Sequence, residues 1–115
     1  MLTPQERQTI NEGFRKVQAR IYRQFKKNPD LHALLFLIGI RELGQLKSRF
    51  TKEEKQYLMH VAVCRLLSQE GYYVFQGLDE DGWPHYAPIR QLPPMHADEQ
   101  EYLLKKLIIR YFDAL

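Results

Sequence analysis

Residues 33 to 40 read Ala-Leu-Leu-Phe-Leu-Ile-Gly-Ile, an uninterrupted apolar run flanked by His32 and Arg41. No other feature restricts the fold so tightly. The run is too short to span a membrane, which takes about 20 apolar residues. As a helix it is apolar on every side, and such a helix has to be covered on several faces. Gly39, in the middle of the run, costs roughly 1 kcal/mol of helix propensity relative to Ala. The compensating benefit is closeness, since with no side chain at Gly39 a second helix can cross near its backbone.

The neighbours of this run are readable from local signals. Thr3-Pro4 starts a first helix: Thr caps, and Pro suits the first helical position. Ile10, Phe14, Val17, Ile21 and Phe25 then recur at helical spacing, until Asn28-Pro29-Asp30 stops the pattern. The helix holding the apolar run is expected from about Asp30 to Leu46. A capping box, Thr51-x-x-Glu54, opens a third helix that ends near Glu70 at Gly71. The small Ala62 and Cys64 of this helix are the expected partners of Gly39. A second box, Asp98-x-x-Glu101, opens a last helix with Leu104, Leu107, Ile108, Tyr111 and Leu115 on one face.

Between the third and fourth helices the pattern changes. Residues 71 to 90 hold five of the fourteen aromatic residues and read as strand, turn, strand, with the turn at Asp81-Gly82. A loop from Asp79 to Gly82 pairs Leu78 with Trp83. One face then carries Tyr72, Val74, Gln76, Leu78, Trp83, His85, Ala87 and Ile89, and the other Tyr73, Phe75, Tyr86 and two prolines. Pro84 and Pro88 lack an amide donor, which makes the second strand a sheet edge. The expected fold is therefore mainly α, a single domain over 1–115, with four helices and one β-hairpin inserted between helices 3 and 4 in the order α-α-α-β-β-α. The apolar excess at its centre predicts self-association as a two-fold dimer.

Composition narrows the function classes. The chain has 115 residues, 44% of them hydrophobic, and a single cysteine, Cys64, so no intrachain disulfide is available. The first residues are polar and lack the apolar core of a signal peptide, which sets the expectation of a cytoplasmic protein without a membrane span. The net charge of +3 is unevenly spread, because residues 1–27 carry seven Lys/Arg against two Glu. Lys16, Arg20, Arg23 and Lys27 recur at helical spacing as a stripe suited to an anionic partner, and nucleic-acid binding through this basic first helix is one alternative function. The same stripe also fits the solvated face of an amphipathic helix.

Two helices followed by a hairpin resemble, in order alone, a winged helix-turn-helix. Two features argue against nucleic-acid binding in that manner. A recognition helix needs an exposed polar face, and the third helix is apolar almost all round. A wing meets phosphates, and this turn carries Asp79, Glu80 and Asp81.

Catalytic signals are sparse. His60 and Cys64 share a helix face and could pair as imidazole and thiol, although buried cysteine commonly serves as a small hydrophobe. A zinc site needs about four ligands, and no second cysteine is present. The acidic turn does not complete a calcium loop, since the twelfth position falls on Arg90 or Pro88 rather than Glu. The sequence therefore identifies no catalytic residue, metal ligand or cofactor. The balance leans away from an enzyme, with a small active site assembled from His60, His85 and Glu42 as the alternative. The aromatic hairpin is the candidate interaction surface for a protein partner, through Tyr72, Tyr73, Phe75, Trp83, His85 and Tyr86.

Overall fold

In a computed structural model, which describes residues 2–45 and 47–115 apart from the Phe25 side chain, the elements follow in the order α1 (Pro4–Phe25), α2 (Leu31–Leu43), α3 (Lys52–Ser68), β1 (Tyr73–Leu78), β2 (Pro84–Pro88) and α4 (Ala97–Asp113). The chain is mainly α, with the two-stranded antiparallel hairpin placed between α3 and α4. Among the described residues no helix is long and apolar enough to cross a membrane. Leu46, the expected end of the second helix, and the Phe25 member of the first apolar stripe lie outside what is described. Two compact units emerge, one of residues 1–30 with 93–115, the other of residues 31–92.

The first unit pairs α1 with α4. Thr3 and Glu6 form a reciprocal capping box at the start of α1, and Pro4 takes the first turn. Phe14, Val17 and Ile21 are buried as their spacing requires, and α4 buries Leu107, Ile108, Tyr111 and Phe112. Arg7 meets Asp98 at 3.3 Å, Asn11 donates to the Tyr102 hydroxyl at 3.3 Å, and Arg20 donates to the Phe112 carbonyl at 3.1 Å. Partners advance along both helices together, so α1 and α4 run parallel. The start of α4 departs from expectation. His96 is the N-cap, and its amide faces Glu99 Oε1 at 3.5 Å, whereas Asp98 lies in the first turn and takes Arg7.

The second unit is built on the crossing of α2 and α3. Leu34, Leu35, Ile38 and Leu43 of α2 and Leu58, Val61, Ala62, Cys64, Leu66 and Leu67 of α3 are buried. Gly39 is where the helices come closest, though its partner is the backbone of Leu58, not Ala62 or Cys64. A β-carbon on Gly39 would stand 2.2 Å from the Leu58 carbonyl oxygen. An Arg65–Glu42 ion pair at 3.2 Å also joins the two helices. Helix α2 stops at Leu43 because Gly44 turns to φ +69. Its apolar run is not covered all round: Phe36, Leu37 and Ile40 are half-buried, and Phe36 meets Phe50 edge-on at 5.7 Å.

At the end of α3, Tyr72 N–H donates to the Leu67 carbonyl and Gly71 N–H to the Ser68 carbonyl. With Gly71 at φ +77 this is a Schellman motif, and it aims the chain into the hairpin. The hairpin register is mixed. Tyr73 pairs with Pro88, Val74 with Ala87 and Phe75 with Tyr86, as the expected turn requires. Gln76 is then left out of the ladder, so Gly77 pairs with His85 and Leu78 with Pro84. Gly77 at φ +114 accommodates this bulge. One inserted residue moves Leu78 to the face of Phe75 and Tyr86, and places Trp83 in the loop rather than opposite Leu78.

The two helical glycines give opposite predictions. For Gly39→Ala, gained helix propensity of about 1 kcal/mol is outweighed by overpacking of roughly 1–3 kcal/mol, since Leu58 backbone cannot step aside. At Gly13 a β-carbon would crowd the Ile109 Cδ1 tip at 2.8 Å, a flexible end that can rotate, and would meet Cγ1 and Cγ2 of the same side chain at ordinary contact distances of 3.5 and 3.7 Å. Urea unfolding should show Gly39→Ala destabilised and Gly13→Ala unchanged or stabilised by up to about 1 kcal/mol.

Candidate functional site

Among the hairpin residues singled out from the sequence, the structure brings His85 and Trp83 onto one residue of α3. Tyr57 lies with its ring 5.9 Å from Trp83 and 5.9 Å from His85. Its hydroxyl donates to the Pro84 carbonyl at 2.9 Å and stands 3.3 Å from His85 Nδ1. On the other side of the imidazole, Nε2 lies 2.9 Å from Asp79 Oδ2. The second carboxylate oxygen, Oδ1, accepts the amides of Asp81 at 2.9 Å and Trp83 at 3.0 Å. The loop from Asp79 to Trp83 is closed further by the Asp79 amide donating to the Trp83 carbonyl at 2.9 Å. Gln45 adds a bond to the Asp81 carbonyl at 2.9 Å. Lys47 reaches over the Trp83 ring at 5.9 Å and pairs with Glu54.

A phenol has one hydrogen to give. When Tyr57 donates it to Pro84, the His85 Nδ1 must carry a hydrogen to bond the phenol oxygen, and Nε2 must carry one for Asp79. The imidazolium satisfies both. In the neutral ring with hydrogen on Nε2, the phenol hydrogen turns from Pro84 to Nδ1. The chain Asp79–His85–Tyr57 thus holds together with either proton count, and only the last hydrogen bond changes direction.

The electrostatics make this chain a latch. The Asp79 carboxyl is held below its ordinary value of 3.8, first by the His85 hydrogen bond and then by the Trp83 amide. Tyr57 is pushed up by burial and then by Asp79, so its phenol is harder to ionise. That is the wrong direction for a catalytic base. His60 and Cys64 do meet, Nε2 to Sγ at 3.5 Å. Yet Cys64 is 1% exposed, and burial raises its thiol to about 11. Glu42 is committed to Arg65. Among the described residues no group of three His, Cys, Asp or Glu side chains is placed to hold a metal ion.

The remaining hairpin aromatics are spread out. Tyr72 lies under Arg90, with the guanidinium carbon 4.1 Å from its ring centre. Tyr86 is half-buried, its phenol pushed up by burial and then by Glu42, and it meets Phe75 at 5.5 Å. Tyr73 is half-buried, whereas Phe75 is 52% exposed. Both hairpin faces leave apolar side chains in water, Val74 and Ile89 on one, Phe75 and Leu78 on the other.

The cationic stripe is altered. Lys16, Arg20 and Arg23 are exposed on α1, but Arg20 turns to the Phe112 carbonyl and ring. Lys27 falls off the helix, because Lys26 takes a left-handed conformation at φ 60 and caps it. Tyr57, which the sequence does not single out, and Asp79, which the sequence marks only as part of the acidic turn, carry the latch. An Asp six residues before a His across an expected turn is the one local signal that links two of its members. No protein-family model matches the chain, and no curated protein or solved structure matches it significantly.

Two expected outcomes follow from these environments. A carboxyl depressed in the fold stabilises it fully above its ordinary value, and that contribution is lost as pH falls through the lower folded value. Fluorescence of Trp83, the only tryptophan, should therefore change on acidification below about pH 4, and this transition should vanish in Asp79→Asn. Cys64 should resist iodoacetamide at pH 8 in the folded protein and react readily in urea, which mass spectrometry of the alkylated protein reads directly.

Proposed function

We propose that the protein is a non-enzymatic assembly module of the cytoplasm, and that it pairs with a second copy of itself along the outer edge of β1. The observation that carries this reading is the placement of the two prolines. The Ile89 amide donates to the Tyr72 carbonyl at 3.0 Å, so Tyr72 and Ile89 form a hydrogen-bonded pair. Antiparallel alternation then makes Tyr73–Pro88 and Phe75–Tyr86 non-bonded pairs, with their backbone groups directed outward. The Asp79–Trp83 pair likewise turns Leu78 and Pro84 outward. Two of the three outward positions on β2 are thus prolines, which blocks that edge. On β1 the outward amides of Tyr73 and Phe75 remain available.

A two-stranded sheet is marginal in water unless further strands or a helix support it, and here α3 packs on the hairpin through Tyr57 while the β1 edge is left for another strand. Antiparallel addition of β1 to its own copy, centred on Val74, gives four strands with prolines at both outer edges. This contact is self-complementary, as a two-fold interface must be. It also adds neighbours beside Val74 and Phe75, which are 44% and 52% exposed. The aromatic hairpin surface of Tyr72, Tyr73, Phe75, Trp83, His85 and Tyr86 then divides its work. Trp83 and His85 hold the hairpin to α3, and Tyr73 and Phe75 present the pairing edge.

Light scattering at tens of micromolar protein should give twice the 13.8 kDa mass of one chain. Phe75→Lys, which places like charges near one another across the two-fold axis, should give the single-chain mass with unchanged helical circular dichroism. A wild-type protein that stays at the single-chain mass at every concentration would overturn the reading. So would a Phe75→Lys variant that dimerises like wild type.

A further inference from the structure

We infer that the outer face of α1 binds single-stranded nucleic acid, with Tyr22 as the platform on which a base stacks and Arg15 and Arg23 as phosphate contacts. Tyr22 is 50% exposed, a large aromatic ring left in water on a helix whose apolar face is elsewhere. It borders a shallow recess of about 540 Å³, which Arg15, Ala19 and Arg23 also line. Ala19, one turn before Tyr22, leaves one edge of the ring uncovered. Gln18 and Asn28 complete the recess, and Lys26 caps the helix one turn after Tyr22.

Among the described residues the cations beside Tyr22 have no carboxylate at ion-pair distance, as Arg41, Arg49, Lys52, Lys55 and Lys106 also have none, and the open ring is what sets this face apart. Arg7, Lys47, Arg65 and Lys105 each have a carboxylate partner, and Arg20 has the Phe112 carbonyl. Among the described residues no carboxylate lies within ion-pair distance of Arg15, Lys16, Arg23 or Lys26. The C-terminal end of a helix repels anions through its dipole, and Arg23 and Lys26 supply full positive charges that offset it there. Cationic groups flanking an open aromatic ring are the arrangement by which unpaired strands are held, the backbone following the charge and a base stacking on the ring. A duplex keeps its bases stacked and offers this face only phosphates. A membrane surface needs a broad apolar face to insert, and here only Ala19 and Tyr22 are apolar.

The test is fluorescence anisotropy with a labelled oligouridylate of about 12 nucleotides, within the usual range of single-strand site sizes. Wild type should bind at low salt, with affinity falling steeply as salt rises. Tyr22→Ala should weaken binding at least fivefold while Tyr22→Phe retains it, since the stacked ring carries that contribution. Arg15→Glu combined with Arg23→Glu should abolish binding with the helical circular dichroism intact. Phe75→Lys should bind as wild type, which keeps this result separate from the assembly state. No binding at low salt would overturn the inference. It would equally be overturned if Tyr22→Ala bound as wild type, if a duplex of the same length bound as tightly, or if anionic lipid vesicles alone were bound.

Discussion

The carbonyl of Leu58 against the bare α-carbon of Gly39 is the contact on which the second unit depends. It lets α2 and α3 approach until Leu34, Ile38 and Leu58 are wholly buried. Burial of side chains this size contributes roughly 1.5–3 kcal/mol each, more than the propensity lost at one glycine. Tyr57 directly precedes Leu58, so the residue that fixes the crossing also fixes where the next side chain leaves α3. From that point Tyr57 reaches Pro84 and His85, and the hairpin is tied to the helix pair.

The hairpin is held through its loop, its β2 strand and its base. Asp79 spends both carboxylate oxygens on the loop and on His85, Gln45 and Lys47 brace the tip, and Arg90 lies across Tyr72. None of these bonds uses the outward amides of Tyr73 and Phe75. The hairpin is therefore fixed in place while the edge of β1 stays open. The bulge at Gln76 limits that edge to a short stretch before Leu78, so the proposed pairing would have one favoured register.

Much of the fold is legible in the residues because its signals are local. Thr51 with Glu54, Gly71 and the Thr3-Pro4 start each act within a single turn, and each does in the structure what its chemistry implies. The departures arise where a tertiary contact competes with a local preference. Asp98 makes a good cap in isolation, but Arg7 holds it in the first turn and His96 takes the cap. The Leu78–Trp83 register looks natural on paper, yet Trp83 is drawn beside Tyr57 and the strand absorbs the change with a bulge at Gly77. The candidate site was less legible still. Asp79 reads locally as part of an acidic turn, because its partnership with Tyr57 through His85 spans two elements and leaves no spacing behind it. The basic face changed for a similar reason: Arg20 is taken by a carbonyl of α4, and Lys26 ends the helix before Lys27.

Amide hydrogen exchange across the hairpin, followed at several protein concentrations, tests most directly whether β1 is a fixed, open edge that a second copy covers. The inward amides of Val74 and Ile89 should be protected at every concentration, because the hairpin of each chain satisfies them. The outward amides of Tyr73 and Phe75 should exchange rapidly in dilute protein and become protected as concentration rises. Rapid exchange of Tyr73 and Phe75 at all concentrations, with Val74 and Ile89 protected throughout, would contradict the account.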